Sequence, residues 1–398
     1  MKSNVLFIAF TPYHLLCSSY YAIKIKKRFP NIRTTLIWQE YYGYCINIDF
    51  FKDAFDVIIE ADSIVRNRDS IINRFIKRIF SGGILFDFSQ VGKYINNNRC
   101  NNLVICFSDQ DPSTYRILNK LRNKNNYVYL VEEGAGAYAL DYVFRYSKKD
   151  YRYYLMLLYK ICGVVHGDYI GYSELYDSWI VQNPQILPYV KKKGHIILQQ
   201  NSIFFDETWT HKLINLNNSI MCDLATENQK KTLLWVGSPL EDCGVSIKEE
   251  LNVLKEVINR CYNYNIIIKP HPRESKTKFC DFACINNVTI LDNDDIKWIP
   301  VEYLFKRIKV DCVVTVISSA AKNMYDNRLT RNVLYLYKLF SSLQCQFVYL
   351  DELSTFEGAI IVNDINKIFD LPLNENNVNS MAKNYEDLDH IFNTIEGI

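Results

Sequence analysis

The sequence predicts an α/β protein built from two doubly wound domains in tandem. Three observations carry this reading. Short apolar runs alternate with helix-spaced segments over roughly the first 180 residues. The alternation breaks over a polar, Asn-rich interval at 209–231 and then restarts. The chain of 398 residues also divides into two or three units at roughly 150 residues each. Strands separated by helices pair in parallel through right-handed crossovers, so each half should form its own sheet. The domains are placed at 1–225 and 226–375, with a last segment at 376–398.

In the first half, 5–10 is a continuous apolar run that suits a strand buried on both faces. The segment 13–29 carries apolar residues at helical spacing and stops before Pro30, which cannot continue a helix. Further strands are expected at 34–38, 57–59, 103–107 and 127–131. The second half reads as strand 233–236, helix 247–262, strands 266–269 and 288–291, helix 303–308 and strand 312–316. A final helix at 378–392 is expected to cross back over the first domain. No internal repeat is found.

Composition narrows the classes. Lys+Arg 46 against Asp+Glu 44 leaves a net charge of +2, without the basic excess of a nucleic-acid binder. An aromatic content of 14% with recurring apolar runs excludes a disordered chain. Of the twelve Cys, Cys17, Cys106, Cys162 and Cys312 sit in apolar runs and read as small buried hydrophobes. Cys280 and Cys284, downstream of His271, lack the fourth ligand and the spacing of a zinc site. No run of about 18 uncharged apolar residues could span a bilayer, and the N-terminus lacks a basic leader with a cleavage site. A reducing cytoplasm is the expected home.

The segment 64–80 stands apart by charge. It carries Arg66, Arg68, Arg74, Lys77 and Arg78 against one Asp69, with Ile64, Ile71, Ile72, Phe75, Ile76 and Ile79 largely on one helical face. Such a helix fits either packing on its own domain with a solvated face or peripheral contact with an anionic membrane. The segment 148–160 is similar but weaker.

Five strand ends or turns carry candidate chemistry. Glu132 and Glu133 end an apolar strand and precede Gly134, and paired carboxylates there suit a general base or a helix-start cap. His271 is held between Pro270 and Pro272, with Lys269 and Arg273 beside it, a rigid cationic setting for an anionic ligand. Ser318 and Ser319 follow a strand and open a helix, fitting either an anion site or simple N-capping. Gly237-Ser238-Pro239 leads into Glu241 and Asp242, and Glu302 opens a helix after Pro300. Two DxD spellings, Asp109 with Asp111 and Asp292 with Asp294, are expected to be solvated turn acids. No Walker-type or dinucleotide glycine loop is present, and no GxSxG elbow.

Taken in order, EEG, GSP, KPHPR, PVE and a Ser-Ser strand end resemble the bacterial sialyltransferases of glycosyltransferase family 52, the lipooligosaccharide and capsule enzymes, with kinship to the bacterial polysialyltransferases. The opening Thr11-Pro12-Tyr13-His14 is similar to that family's first loop, and the resemblance spans residues 5 to about 325. It implies a GT-B fold, two Rossmann-like domains facing across a cleft. It further implies an inverting, metal-independent transfer of sialic acid from CMP-sialic acid to a glycan hydroxyl, with no cofactor beyond the donor.

By the same resemblance His271 contacts the leaving phosphate and can act as general acid, and Ser318 and Ser319 bind that phosphate. Glu302 grips the ribose, while Gly237, Ser238 and Pro239 form a nucleotide-side loop. Lys269, Pro270, Pro272 and Arg273 belong to the phosphate side, and Thr11, Pro12, Tyr13, His14 and Gly134 to the acceptor side. In the lipooligosaccharide branch an acid directly follows the GSP proline. Leu240 stands there instead, which leaves Glu132, Glu133, Glu241 and Asp242 as candidates for the base. The partners implied are the CMP-sugar and an oligosaccharide or glycolipid acceptor, with membrane contact through 64–80; a homodimer is allowed but not demanded. Alternatives are another donor on the same fold (CMP-Kdo, another CMP-nonulosonate or a UDP-hexose) and a non-catalytic nucleotide-binding partner in surface-polysaccharide assembly.

Overall fold

The computed structural model describes residues 4–39, 46, 48–61, 70–82, 85–98, 102–109, 111–122, 126–134, 137–138, 151–164, 170–188, 192, 194–200, 203, 206, 230–275, 277–305, 308, 310–368 and 386–397. The chain divides into two compact units, Met1–Phe205 with Lys383–Ile398, and Asp206–Ala382. The boundary expected at 225 lies outside the described residues.

The first unit holds seven strands: β1 (Asn4–Ala9), β2 (Arg33–Trp38), β3 (Val57–Glu60), β4 (Asn102–Cys106), β5 (Tyr127–Val131), β6 (Ser178–Val181) and β7 (Ile196–Gln199). Their order is β3-β2-β1-β4-β5-β6-β7, and every pairing is parallel. Alternate residues of the strands, including Leu6, Ile8, Val104, Cys106, Val128, Leu130, Trp179 and Val181, build one core. The helices α1 (Pro12–Arg28), α2 (Ile71–Gly82), α3 (Gln90–Asn97), α4 (Pro112–Arg122) and α5 (Tyr151–Ile161) accompany this sheet. Thr11 caps α1 by accepting from the His14 N–H, and Pro12 takes the first turn, where its missing N–H costs nothing.

The C-terminal helix is described over Glu386–Glu396 and runs past the expected end at 392, because its apolar spacing continues to Ile395. Residues 378–385 lie outside those described. This helix belongs to the first unit: Tyr21 donates to Asp387 (2.7 Å), Tyr129 meets His390 and Thr394 (2.7 Å each), and Phe392 packs edge-on against Phe29. α2 packs against α4 and α5, and its apolar residues Ile72, Phe75 and Ile76 are exposed, Ile72 by 71%. Residues 64–69 of the same basic segment lie outside the described set.

The second unit holds β8 (Thr232–Val236), β9 (Asn265–Lys269), β10 (Val288–Ile290), β11 (Cys312–Thr315), β12 (Val333–Tyr335) and β13 (Ala359–Ile361) in the order β10-β9-β8-β11-β12-β13, again all parallel. In both sheets the first strand lies centrally and the order reverses beside it, which is the Rossmann arrangement. Here the helix expected at 303–308 is a single turn, Val301–Leu304, started by Pro300.

Candidate active site

In the first unit the strand order reverses between β1 and β4, so the loops leaving these strands and β5 share the carboxyl edge where α/β sheets hold ligands. His14 lies within the first turn of α1 and is fully buried. Its ring stacks on Phe107, just past β4 (centroids 4.3 Å apart, 6° between planes), and meets Phe10 edge-on. Nδ1 faces the Phe10 N–H at 3.5 Å, while Nε2 stands 3.6 Å from Oε2 of Glu133. Burial holds the imidazole well below its usual value, so it is neutral.

The two adjacent carboxylates divide their work. Glu132 is buried; its Oε2 accepts from the Gln182 N–H (2.6 Å) and from the Tyr138 hydroxyl, which itself accepts from the Asn183 N–H (3.0 Å). Glu132 therefore fastens the end of β5 to the segment after β6. Glu133 points the other way, as successive residues of an extended chain do, and is about one quarter exposed (26%). Gly134 follows at φ 135°, a conformation that a Cβ would strain. Tyr13 donates to Gln200 (3.1 Å) and accepts from Gln182 (3.0 Å), which ties the first loop to β6 and β7.

The first DxD is not solvated. Asp109 is buried and accepts from the Gly171 and Ser173 N–H groups (2.8 Å each), while Asp111 caps α4 through Thr114 N–H (2.8 Å) and the Ser113 hydroxyl (2.8 Å). Both acids anchor backbone. Asp292 lies in the turn before the short helix Asp294–Lys297.

In the second unit β9, β8 and β11 are neighbours, and their carboxyl ends carry Gly237–Pro239, Pro270–Arg273 and Ser318–Ser319 along one edge. The His271 N–H donates to Oε2 of Glu274 (2.6 Å), and its Nδ1 accepts from the Arg273 N–H (3.2 Å). The imidazole proton is thereby assigned to Nε2. Burial, with the charges of Arg273, Lys269, Lys297 and Lys278, holds this histidine well below its usual value. Beneath it Lys278 bridges Glu274 and Glu250 (2.6 Å to the latter), and Lys297 donates to the Glu274 carbonyl.

Lys269 departs from its expected place on the phosphate. It is buried, donates to the carbonyls of Lys297 (2.6 Å) and Pro270 (3.3 Å), and is pushed down to about 7 by burial and by Lys297. It braces the loop from below; Arg273 is the exposed cation. Glu302 is buried and held up by burial; one oxygen accepts from Asn323 (2.9 Å) and the other has no hydrogen-bond partner among the described residues. The Ser238 hydroxyl is likewise buried without a partner there. Ser319 occupies the cap position of the helix Ala320–Asp326, yet its side chain makes no cap bond. Leu240 is fully buried, so the position that carries an acid in the lipooligosaccharide branch is core here, and Glu241 beside it is exposed on the turn Leu240–Cys243.

Gly237 is needed because a Cβ would collide with the Glu274 carboxylate and come 2.9 Å from the His271 nitrogen. Gly237→Ala should therefore cost about 1–3 kcal/mol and lower the melting temperature. An unchanged melting point would contradict this contact.

Sequence reasoning missed Glu274, Lys278, Lys297 and Glu250. The i, i+4 spacing of Glu274 and Lys278 was a usable signal; Glu250 joins them only through folding. Burial and the neighbouring Glu274 raise Glu250 to about 7. A carboxyl raised above its unfolded value of about 4.3 binds more protons when folded, so its contribution to stability falls as pH rises from there to about 7. Glu250→Gln should flatten that slope; denaturant unfolding at about pH 5 and about pH 7.5 measures it, and equal slopes for both proteins would refute the assignment.

Two Rossmann-ordered units, each with candidate site residues at the carboxyl edge of its sheet, make up the GT-B fold of nucleotide-sugar enzymes. The chain belongs to the α-2,8-polysialyltransferase (POLYST) family, whose sequence model matches residues 6–329. It is thus a sialyltransferase, drawn from the polysialyltransferase kin of the family that the motifs resemble. No curated protein matches it in sequence. Among solved structures it is similar to an α/β-galactoside α-2,3-sialyltransferase from Photobacterium phosphoreum, with 14% identity and a TM-score of 0.54 over 92% of this chain and 100% of that one. A Photobacterium 2,6-sialyltransferase solved with CMP and lactose gives 12% and 0.53, over 90% and 78%. A UDP-GlcNAc 2-epimerase from Neisseria meningitidis, bound to UDP-GlcNAc, gives 12% and 0.56 over the whole of both chains. At these identities the likeness is one of fold.

Proposed function

We propose that the protein transfers sialic acid from CMP-sialic acid to a hydroxyl of a bacterial lipooligosaccharide or capsule glycan, inverting the anomeric centre without a metal. The observation that carries this is the edge of the second sheet. There a neutral His271 with its proton on Nε2 shares the strand ends with the two serines, while Ser238 Oγ and Glu302 Oε2 are buried polar atoms with no hydrogen-bond partner among the described residues. A phosphate accepts from the imidazole and the hydroxyls, and a ribose hydroxyl donates to the carboxylate.

In the transfer the acceptor oxygen bonds to the anomeric carbon as the bond from that carbon to the phosphate oxygen breaks. The charge that gathers on departing CMP is met by the Nε2–H of His271 and by Ser318 and Ser319. The acceptor proton passes to Glu133, which is favoured as base because Glu132 is committed to Gln182 and Tyr138, and Glu241 sits on an exposed turn. The family name points to a sialic-acid-terminated glycan as the acceptor.

The exposed Ile72, Phe75 and Ile76 of α2, on a basic segment, support contact with the inner face of the cell membrane from the cytoplasm. No described helix is long and apolar enough to cross a membrane. Incubation with CMP-sialic acid and a sialyl- or galactosyl-terminated acceptor, followed by CMP release and product mass, tests the reading. Absence of product, with a thermal shift by UDP or GDP rather than CMP, would overturn it in favour of another donor.

A further inference from the structure

We propose that His14 positions the base: through its Nε2–H it aims the carboxylate of Glu133, an inference that rests on Glu133 being the proton acceptor. The site is built for one contact. His14 has no exposed surface, so it does not touch an acceptor glycan itself. Its ring is fixed on one face by Phe107 and at the edge by Phe10. The N–H of Phe10 faces Nδ1, which leaves the proton on Nε2. That Nε2 is buried and has no hydrogen-bond partner among the described residues, and the carboxylate of Glu133 stands 3.6 Å away. Hydrogen bonds at a catalytic centre are often long in the free enzyme and tighten when substrate binds.

The choice of a neutral donor has chemical sense. A lysine or arginine here would hold Glu133 ionised and lower its basicity, weakening it as a proton acceptor. A neutral N–H fixes the direction of the carboxylate without that cost. The aromatic sandwich supports this role, because burial keeps the imidazole uncharged. The three parts come from three strand ends of one sheet: the loop after β1, Phe107 after β4 and Glu133 after β5.

Steady-state kinetics on four variants test the inference. His14→Phe keeps the aromatic stack and removes the N–H; His14→Gln keeps an amide N–H near the place of Nε2. His14→Phe should lower kcat roughly 10- to 100-fold with the KM for CMP-sialic acid unchanged, and His14→Gln should recover most of it. Added to Glu133→Gln, His14→Phe should cost nothing more, because the group it positions is already gone. Wild-type kcat for His14→Phe would overturn the proposal, as would a further independent loss in the double variant. Should the Phe variant fail to fold, His14→Leu takes its place in both comparisons. Full turnover by Glu133→Gln would instead remove the base itself, whereas an inactive Glu133→Gln beside an unaffected His14→Phe removes only the positioning role.

Discussion

Replacing His271 by alanine should lower turnover by about 100-fold or more, with little change in thermal stability. The imidazole is held by its own backbone N–H on Glu274 and by the Arg273 N–H on Nδ1, so only Nε2 remains to act on a ligand. In the free protein, burial and four nearby cations keep it neutral. The negatively charged phosphodiester of a bound CMP-sugar opposes that field and raises the affinity of the ring for a second proton. On the proposed mechanism His271 is a neutral hydrogen-bond donor before binding, and the phosphate favours the doubly protonated ring that can give a proton to departing CMP. Single-turnover assays of CMP release measure the loss, and wild-type rates for His271→Ala would sink the mechanism.

Glu133→Gln is expected to reduce kcat by roughly 100- to 10,000-fold while the thermal shift given by CMP stays the same. The neighbouring Glu132→Gln should behave differently. That carboxylate accepts from Gln182 and Tyr138 in a buried place, so its loss should lower the melting temperature first. Glu241→Gln, on an exposed turn, should leave both properties near wild type. A strong kinetic defect in Glu241→Gln with a mild one in Glu133→Gln would move the base to the second unit.

The central strands were legible in the sequence because buried parallel strands are near-continuous apolar runs. Val5–Ala9, Ile266–Ile268 and Cys312–Thr315 are such runs. Strands β6, β7, β12 and β13 were missed. They are three or four residues long, and β7 and β13 lie at sheet edges with half-exposed or exposed residues, too short for a period to register.

The motifs fall at the carboxyl edges of both sheets, because each follows a strand that its apolar run made legible. Side-chain direction was not legible. Lys269 and Glu132 read as site residues by position, yet the last residue of a strand and the first beyond it turn inward here, onto carbonyls and backbone N–H groups. The same limit hid Glu250, some twenty residues before Glu274 and joined to it only through Lys278.

The helix Glu386–Glu396 gives the chain an order of maturation. Tyr21 and Tyr129 find Asp387, His390 and Thr394 only once the helix Glu386–Glu396 has been made. All of residues 206–382 are made in between. At about 5–20 residues per second, a ribosome needs roughly 10 to 40 seconds to cover that distance. During that interval the first unit lacks this helix, while residues 206–382 of the second unit are already made. Removal of Glu386–Glu396 should therefore destabilise the first unit and leave the second intact.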